Sequence, residues 1–324
     1  MNIIHYCCGS YDNGNYGGVA RYDYHVKLIF PNRKFFKGPQ QKLTMLEYLE
    51  ECDNPIIITD NHLSIDIPNK YPCILVHHGC AKTTSQRNPR WQGQIRDLCV
   101  NGQNKMLDFR NIDKTIILTI SNSCTYDFTK YYGKKYTNFT ILKVLHTSEL
   151  DETIYKKNFN KIPIVLGNWN GFKKGIKIIP LLAKKMNYLK FQQLNVSLKN
   201  NNVKEFNRTK QNIYLNSDIF LQLSNSEGNS YASLDAMSNG LLVISTNVGL
   251  FFSDVPDNCF VKLDWTKINN LEYMKGKIIY GWNNRYELAQ NARKWYLDNC
   301  NFSLWERKMK CIINEFYKKQ YENI

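Results

Sequence analysis

Residues 217–249 read SDIFLQLSNSEGNSYASLDAMSNGLLVISTNVG, and this stretch decides the fold. Ile219–Leu223 is a short apolar strand; a polar loop follows, then a short helix, a glycine, and a second apolar strand at Leu242–Ser245. Ser230 or Asn229 is placed to cap the helix, because a short side-chain oxygen there accepts from the unpaired amides of the first turn. Gly240 is placed to end it, since glycine takes the left-handed conformation without steric cost. Strand, helix and strand in that order form a parallel crossover unit. In open sheets built of such units, ligands sit beyond the carboxyl ends of the strands, so the chemistry is expected in the loop after Leu223.

That loop carries Glu227, Gly228, Asn229, Ser230 and Tyr231 and opens onto a helix N-terminus, where free amides favour an anion. A carboxylate beside those amides wants a hydroxyl or a cation. Asp235 follows on the helix, about two turns further at roughly 1.5 Å per residue. Acids for hydroxyls and amides for a diphosphate together suit a sugar nucleotide. The spacing Glu227-x7-Asp235, continued by Ala-Met-x-x-Gly and Val-Ile-Ser-Thr-Asn-Val-Gly, resembles the E-x7-E signature of the family 4 retaining glycosyltransferases. The resemblance implies a GT-B fold: two Rossmann-like α/β domains whose parallel sheets face a central cleft. A generic nucleotide-binding crossover with two surface acids is the plainer alternative.

With 324 residues the chain has room for two domains with their own cores. An apolar content of 43% marks a folded protein, and the longest apolar runs are short strands, well below a membrane span. The opening MNIIHYCCGS reads as a first strand and not as a signal peptide, which makes the cytoplasm the expected location. Ten cysteines form no CxxC or Cys/His cluster of zinc spacing, so reduced thiols and no metal site are expected. The excess of Lys and Arg over Asp and Glu, 43 − 28 = 15, favours acidic partners: nucleotide sugars, acidic glycans, an anionic membrane surface or nucleic acid. A lysine-rich solvated surface gives the same total.

Toward the N-terminus, Asn2–Tyr6 is a first strand, and a Gly/Asn/Asp-rich loop leads to a helix with Val19, Tyr22, Val26 and Ile29 on one face. Gly17 and Gly18 thus lie between a strand and a helix, where bare backbone can approach a phosphate. Further strands fall at Lys34–Phe36, Ile56–Thr59 and Ile74–His77, with a helix at Lys42–Glu51. ILVHHGCA puts His77 and His78 at a strand's carboxyl end, and alternation sends only one of them to the ligand side. A helix within residues 92–109 precedes TIILTISNSCTYDFTKYYG, a strand, turn and capped helix with Ser121 and Asn122 in the turn. By the resemblance, GGVAR is the Gly-Gly loop that faces the donor diphosphate, with Arg21 assisting. His78 is the histidine near the transferred sugar, with His77 as the fallback, and Ser121 and Asn122 line the acceptor side.

Residues 149–160, polar and of mixed charge, read as a linker between an acceptor-side domain at 1–148 and a donor-binding domain at 161–302. A last helix, 303–324, is expected to cross back onto the first domain, with Trp305, Met309, Ile312 and Phe316 as its apolar stripe. In the second domain GNWNGFKKGIKIIP resembles the family's Gly-Arg-x-x-x-x-Lys-Gly diphosphate site. Lys174 and Gly175 fit it. Asn168 stands where the family has arginine; an amide can bond to phosphate but brings no charge, and Lys173 is placed to compensate. Pro180 would break a helix begun at Gly175, so the helix is expected to start later.

The resemblance therefore implies a metal-independent, retaining transferase of a UDP- or GDP-sugar, with His78, Glu227 and Lys174 as the catalytic set. Gly17, Gly18, Asn168, Lys173, Lys174 and the Gly228–Tyr231 turn hold the donor, while Asp235 binds the ribose. No further cofactor is implied. The acceptor is a glycan, a lipid-linked glycan or another hydroxyl compound, with peripheral contact to an anionic membrane and no nucleic acid. A sugar-nucleotide epimerase of the same architecture, and a non-catalytic nucleotide-sugar- or nucleic-acid-binding protein, are the alternatives.

Overall fold

The computed structural model describes residues 1–14, 17–170, 174–198 and 202–322. They divide into two compact units, one built on Met1–His146 and the chain from Ser303 onward, the other on Thr147–Ser197 and Asn202–Phe302. Among the described residues, no helix is long and apolar enough to cross a membrane.

The first unit holds a six-stranded parallel sheet of β1 (Asn2–Cys7), β2 (Lys34–Lys37), β3 (Pro55–Asp60), β4 (Cys73–His77), β5 (Thr115–Thr119) and β6 (Thr140–Lys143). Its order is β2-β1-β3-β4-β5-β6. Every residue of β3 and β4 is buried, which is what strands covered on both faces require. Helices α1 (Gly18–Ile29), α2 (Lys42–Glu51), α3 (Ala81–Arg87), α4 (Gln94–Lys105) and α5 (Asn122–Tyr132) supply the length that parallel crossovers need.

The second unit has five parallel strands: β7 (Ile164–Gly167), β8 (Lys190–Gln193), β9 (Ile219–Gln222), β10 (Leu242–Thr246) and β11 (Val261–Leu263), in the order β11-β10-β9-β7-β8. Counted from its own first strand this is 2-1-3-4-5, the order that also begins the first sheet. The sequence carries no internal repeat, yet both units are wound alike. In each, the strand order reverses between the first and third strands, the place where such sheets bind ligands.

Helix α6 (Ile179–Lys185) starts late, with Pro180 in its first turn, as its missing amide hydrogen demands. The unit also has α7 (Val203–Leu215), α8 (Tyr231–Ser238), α9 (Leu271–Asn283) and α10 (Arg285–Asn299). Gly276 and Gly281 dilute the helical pattern of α9. Gly281 has a packing reason: a Cβ there would lie 2.8 Å from Val261 Cγ2, so its absence brings α9 close to the sheet.

The last helix, α11 (Phe302–Tyr321), packs within the first unit from Ser303 on. Its buried stripe is Trp305, Met309, Ile313 and Phe316, with Ile312 only half-buried. The four-residue step from Met309 keeps Ile313 on the inner face, which corrects the expectation of Ile312. Tyr22 meets Trp305 edge-on with ring centroids 5.9 Å apart, and Tyr321 Oη donates to the Pro55 carbonyl at 2.9 Å.

Candidate functional site

In the second unit, the loops after β7 and β9 flank the switch point, and they carry the two groups of interest. Lys174 Nζ stands 3.3 Å from Glu227 Oε1, with the side chains 23% and 16% exposed. The contact is built by close backbone approach. Gly175 has φ +74°, and a Cβ on it would lie 2.6 Å from Leu223 Cβ, so only glycine lets the lysine loop sit on the end of β9. Across the acid turn, Gly249 (φ +58°) would bring a Cβ to 3.3 Å from Glu227 Cβ.

Glu227 is aimed from its own turn. Ser224 Oγ donates to Glu227 Oε1 at 2.7 Å, and the Ser224 carbonyl accepts from Thr246 Oγ1 at 2.5 Å, tying the turn to β10. Among the described residues Oε2 takes no partner, which leaves it for a hydroxyl. Ser230 is the cap of α8, accepting from the Ser233 amide at 3.3 Å. Asn229 Oδ1 accepts from the Ser230 amide at 2.6 Å, holding the turn ahead of the cap. Gly240 takes the left-handed conformation at φ +76° after α8.

Asp235 behaves differently from the expectation of a ribose ligand. It is 1% exposed, its Oδ1 accepts from Ser148 Oγ at 2.6 Å, and its Oδ2 lies 3.6 Å from Lys210 Nζ. Lys210 also pairs with Glu149 at 2.9 Å. A ribose contact would require this buried network to open. Asn168 is half-buried just past β7, and Lys173 lies outside the described residues.

In the first unit, strand alternation separates the two histidines. His77 is fully buried on β4, edge-on to Phe128 and Tyr132 with centroids at 5.4 and 6.3 Å. Burial, then the charge of His78, lowers its pKa to about 3. It cannot reach a ligand, so the fallback role falls away. His78 lies past the strand end with its side chain 9% exposed, and its Nε2 is 2.8 Å from Asp60 Oδ1.

Three further expectations meet the same limit of burial. Ser121 is fully buried as the cap of α5, accepting from the Cys124 amide at 3.1 Å, so its hydroxyl does not line an acceptor surface. Asn122 is half-buried and accepts from Lys143 Nζ at 2.7 Å. Arg21, on α1, is 5% exposed; after burial and the charges of His78 and His25, its charge helps hold His146 neutral. Gly17 and Gly18, by contrast, are exposed at the start of α1, and a Cβ at Gly17 would meet nothing within 4 Å.

Sequence reasoning missed Asp60, Ser224 and Trp169. Trp169 is 3% exposed, and its Nε1 donates to the Leu221 carbonyl at 2.9 Å across the β7–β9 seam. A side chain at Gly167 would collide with that indole. The signal was present as Gly-x-Trp directly after a strand. Among the described residues, His5, Cys7 and Asp23 form one cluster close enough to share a metal ion. It is buried in the first unit and shares no residue with the two loops above. Asp23 is engaged by Arg33 at 2.5 Å and His5 at 2.8 Å; burial alone would raise its pKa, but these partners hold it at about 2.

No protein-family model matches the sequence, and no curated protein resembles it closely enough in sequence to count as a relative. Solved structures do match. A sucrose-phosphate synthase from Thermosynechococcus elongatus aligns with a TM-score of 0.73 at 13% identity, over 98% of this chain and 99% of that one. A glycosyltransferase from Rickettsia africae gives 0.64 at 16% identity over 100% and 99%. Anabaena HepE in complex with UDP gives 0.65 at 11% identity over 97% and 100%. The chain has the GT-B fold. Its two parallel-sheet units are the two GT-B domains, and the Lys174 and Glu227 loops belong to the second of them.

Proposed function

We propose that this chain is a nucleotide-sugar-dependent glycosyltransferase that works with retention of configuration and without a metal ion. The pairing of Lys174 with Glu227 at the switch point of the second sheet carries the proposal. It joins a cation for a diphosphate and an acid for sugar hydroxyls, beside the N-terminus of α8. The GT-B fold supports the reading, as does a neighbour of the same fold with UDP bound.

The chemical problem is charge. The bond from the anomeric carbon to the phosphate oxygen breaks while a bond to the acceptor oxygen forms on the same face, and the departing phosphate oxygen takes the acceptor proton. Fixed donors aimed at the growing phosphate charge lower that barrier most. Lys174 is such a donor, and Glu227 fixes the sugar through its hydroxyls. His78 binds the sugar near the reacting carbon.

Gly17 supports the same reading. Its φ of −71° suits any residue and its Cβ position is empty, so the fold itself places no demand for glycine there. A closely approaching phosphate does. The donor is a UDP- or GDP-sugar and the acceptor a glycan or lipid-linked hydroxyl compound. On α4, Ile95 and Leu98 are 72% and 63% exposed one turn apart, a surface suited to peripheral contact with an anionic membrane.

A thermal-shift screen with UDP-, GDP-, ADP- and dTDP-sugars tests the donor, because a ligand of the folded form raises its melting temperature. Lys174→Ala and Glu227→Ala are expected to abolish transfer with the fold intact. Full activity in both variants would reject the site. A product of inverted configuration would reject retention.

A further inference from the structure

We propose that Asp60 is a positioning residue that fixes the tautomer of His78, so that His78 meets the transferred sugar through Nδ1 as a hydrogen-bond acceptor. The inference rests on the glycosyltransferase reading for its consequence, and on geometry alone for the tautomer.

Asp60 is the last residue of β3 and is 1% exposed. Both of its oxygens are committed. Oδ2 accepts from the Cys8 amide at 3.1 Å, and Oδ1 lies 2.8 Å from His78 Nε2. A backbone amide can only donate, and an ionised carboxylate can only accept. The proton of the neutral imidazole therefore sits on Nε2. The following residue adds a second clamp: Asn61, in the left-handed region at φ +39°, accepts from the His78 backbone amide through Oδ1 at 3.1 Å. Consecutive residues thus hold both the backbone and the ring of His78. An ST-turn or Asx-turn serving the loop alone would not need the carboxylate to reach the ring.

The ring is also fixed in its plane. Tyr22 stands edge-on with its centroid 5.0 Å away, and His146 lies at 5.6 Å. Nδ1 takes no partner among the described residues, yet it is absent from the buried, unpaired ring nitrogens that include both of His77. Nδ1 is therefore the nitrogen that a ligand can reach. With the proton locked on Nε2, it presents a lone pair. That suits a sugar hydroxyl, which donates, and does not suit a phosphate oxygen, which accepts.

Nitrogen-15 long-range correlation spectra of the histidine rings at pH 8 read the tautomer directly, with His78 assigned by loss of its signals in His78→Gln. The wild-type protein is expected to show His78 protonated on Nε2. Asp60→Asn, whose amide can donate to Nε2, is expected to shift His78 toward the Nδ1-protonated form. With the donor found by the thermal-shift screen, that variant should lower kcat about 10²-fold while the donor KM stays within about threefold. Asp60→Glu should restore part of the rate.

A wild-type His78 protonated on Nδ1 overturns the proposal without any variant, so it stays falsifiable even if Asp60→Asn fails to fold. A changed tautomer with unchanged kcat overturns the functional half. If the wild-type protein binds and turns over no nucleotide sugar, the glycosyltransferase reading fails, while the tautomer result stands or falls by its own spectrum.

Discussion

Replacing His77 by leucine should flatten the acid side of the stability curve and leave catalysis alone. The ring is fully buried, and among the described residues both nitrogens lack partners. Its pKa falls from 6.5 to about 3 in the folded chain, chiefly through burial. The sign follows from proton counting. Between these two values the unfolded chain holds the proton and the folded chain does not, so acid favours unfolding. The histidine therefore costs nothing above pH 6.5, and stability is lost progressively as pH falls from 6.5 toward 3. Linkage with these two values gives a loss of about 2 kcal/mol at pH 5 and about 4 kcal/mol at pH 3. Leucine has a similar volume and no polar atoms, so stability at pH 7.5 should change by less than about 1.5 kcal/mol. Urea unfolding at pH 7.5 and pH 5, with hydrogen exchange of β4 and β5 peptides to assign the transition to the first unit, measures the difference. The variant should lose about 2 kcal/mol less than the wild type over that interval. His146, also held neutral by burial, should keep the remaining acid sensitivity. Equal pH dependence in the two proteins, or lost turnover in the variant, would refute the placement of His77 inside the sheet.

Lys174→Gln should weaken nucleotide-sugar binding by about tenfold to a hundredfold, the worth of one charge-assisted hydrogen bond, as read by calorimetry. It should cost less than about 1 kcal/mol of stability, because the ion pair with Glu227 is partly exposed. Gly175→Ala should cost about 2–4 kcal/mol, from the left-handed backbone and the collision with Leu223, and urea unfolding would show it. Gly17→Ala should change stability by less than about 1 kcal/mol, as an exposed cap position without neighbours, yet impair donor binding. Unimpaired binding in that variant would remove the phosphate from the Gly17 loop.

Much of the fold was legible because backbone preference and burial act over short windows. Apolar runs bounded by polar loops located the strands, and the Lys42–Glu51 helix agrees at both ends. Ser230 as cap, Gly240 as stop and the late start forced by Pro180 follow from hydrogen-bond and steric rules that involve only neighbours. The helix at Leu271–Asn283 was not legible, because Gly276 and Gly281 dilute its pattern, and Gly281 answers to the sheet beneath and not to the helix itself.

The site divides along the same line. Residue type and position singled out Glu227 at the carboxyl edge of the sheet, whereas the roles of Lys174 and His78 came from the resemblance of their motifs to those of a known family. Only the tertiary structure brought Lys174 within 3.3 Å of Glu227, since strand order places β7 beside β9 and no local rule encodes that adjacency. Likewise, the sequence alone named the pair His77–His78, but the direction of the strand buried one ring and set the other against Asp60, a distant residue. Residue type named Asp235, Ser121 and Arg21, but only the fold shows that all three are buried, with Asp235 accepting from Ser148 and Ser121 accepting from the Cys124 amide at the start of α5. A side chain's chemistry is written at its own position, whereas its neighbours and its access to solvent are set by the whole fold.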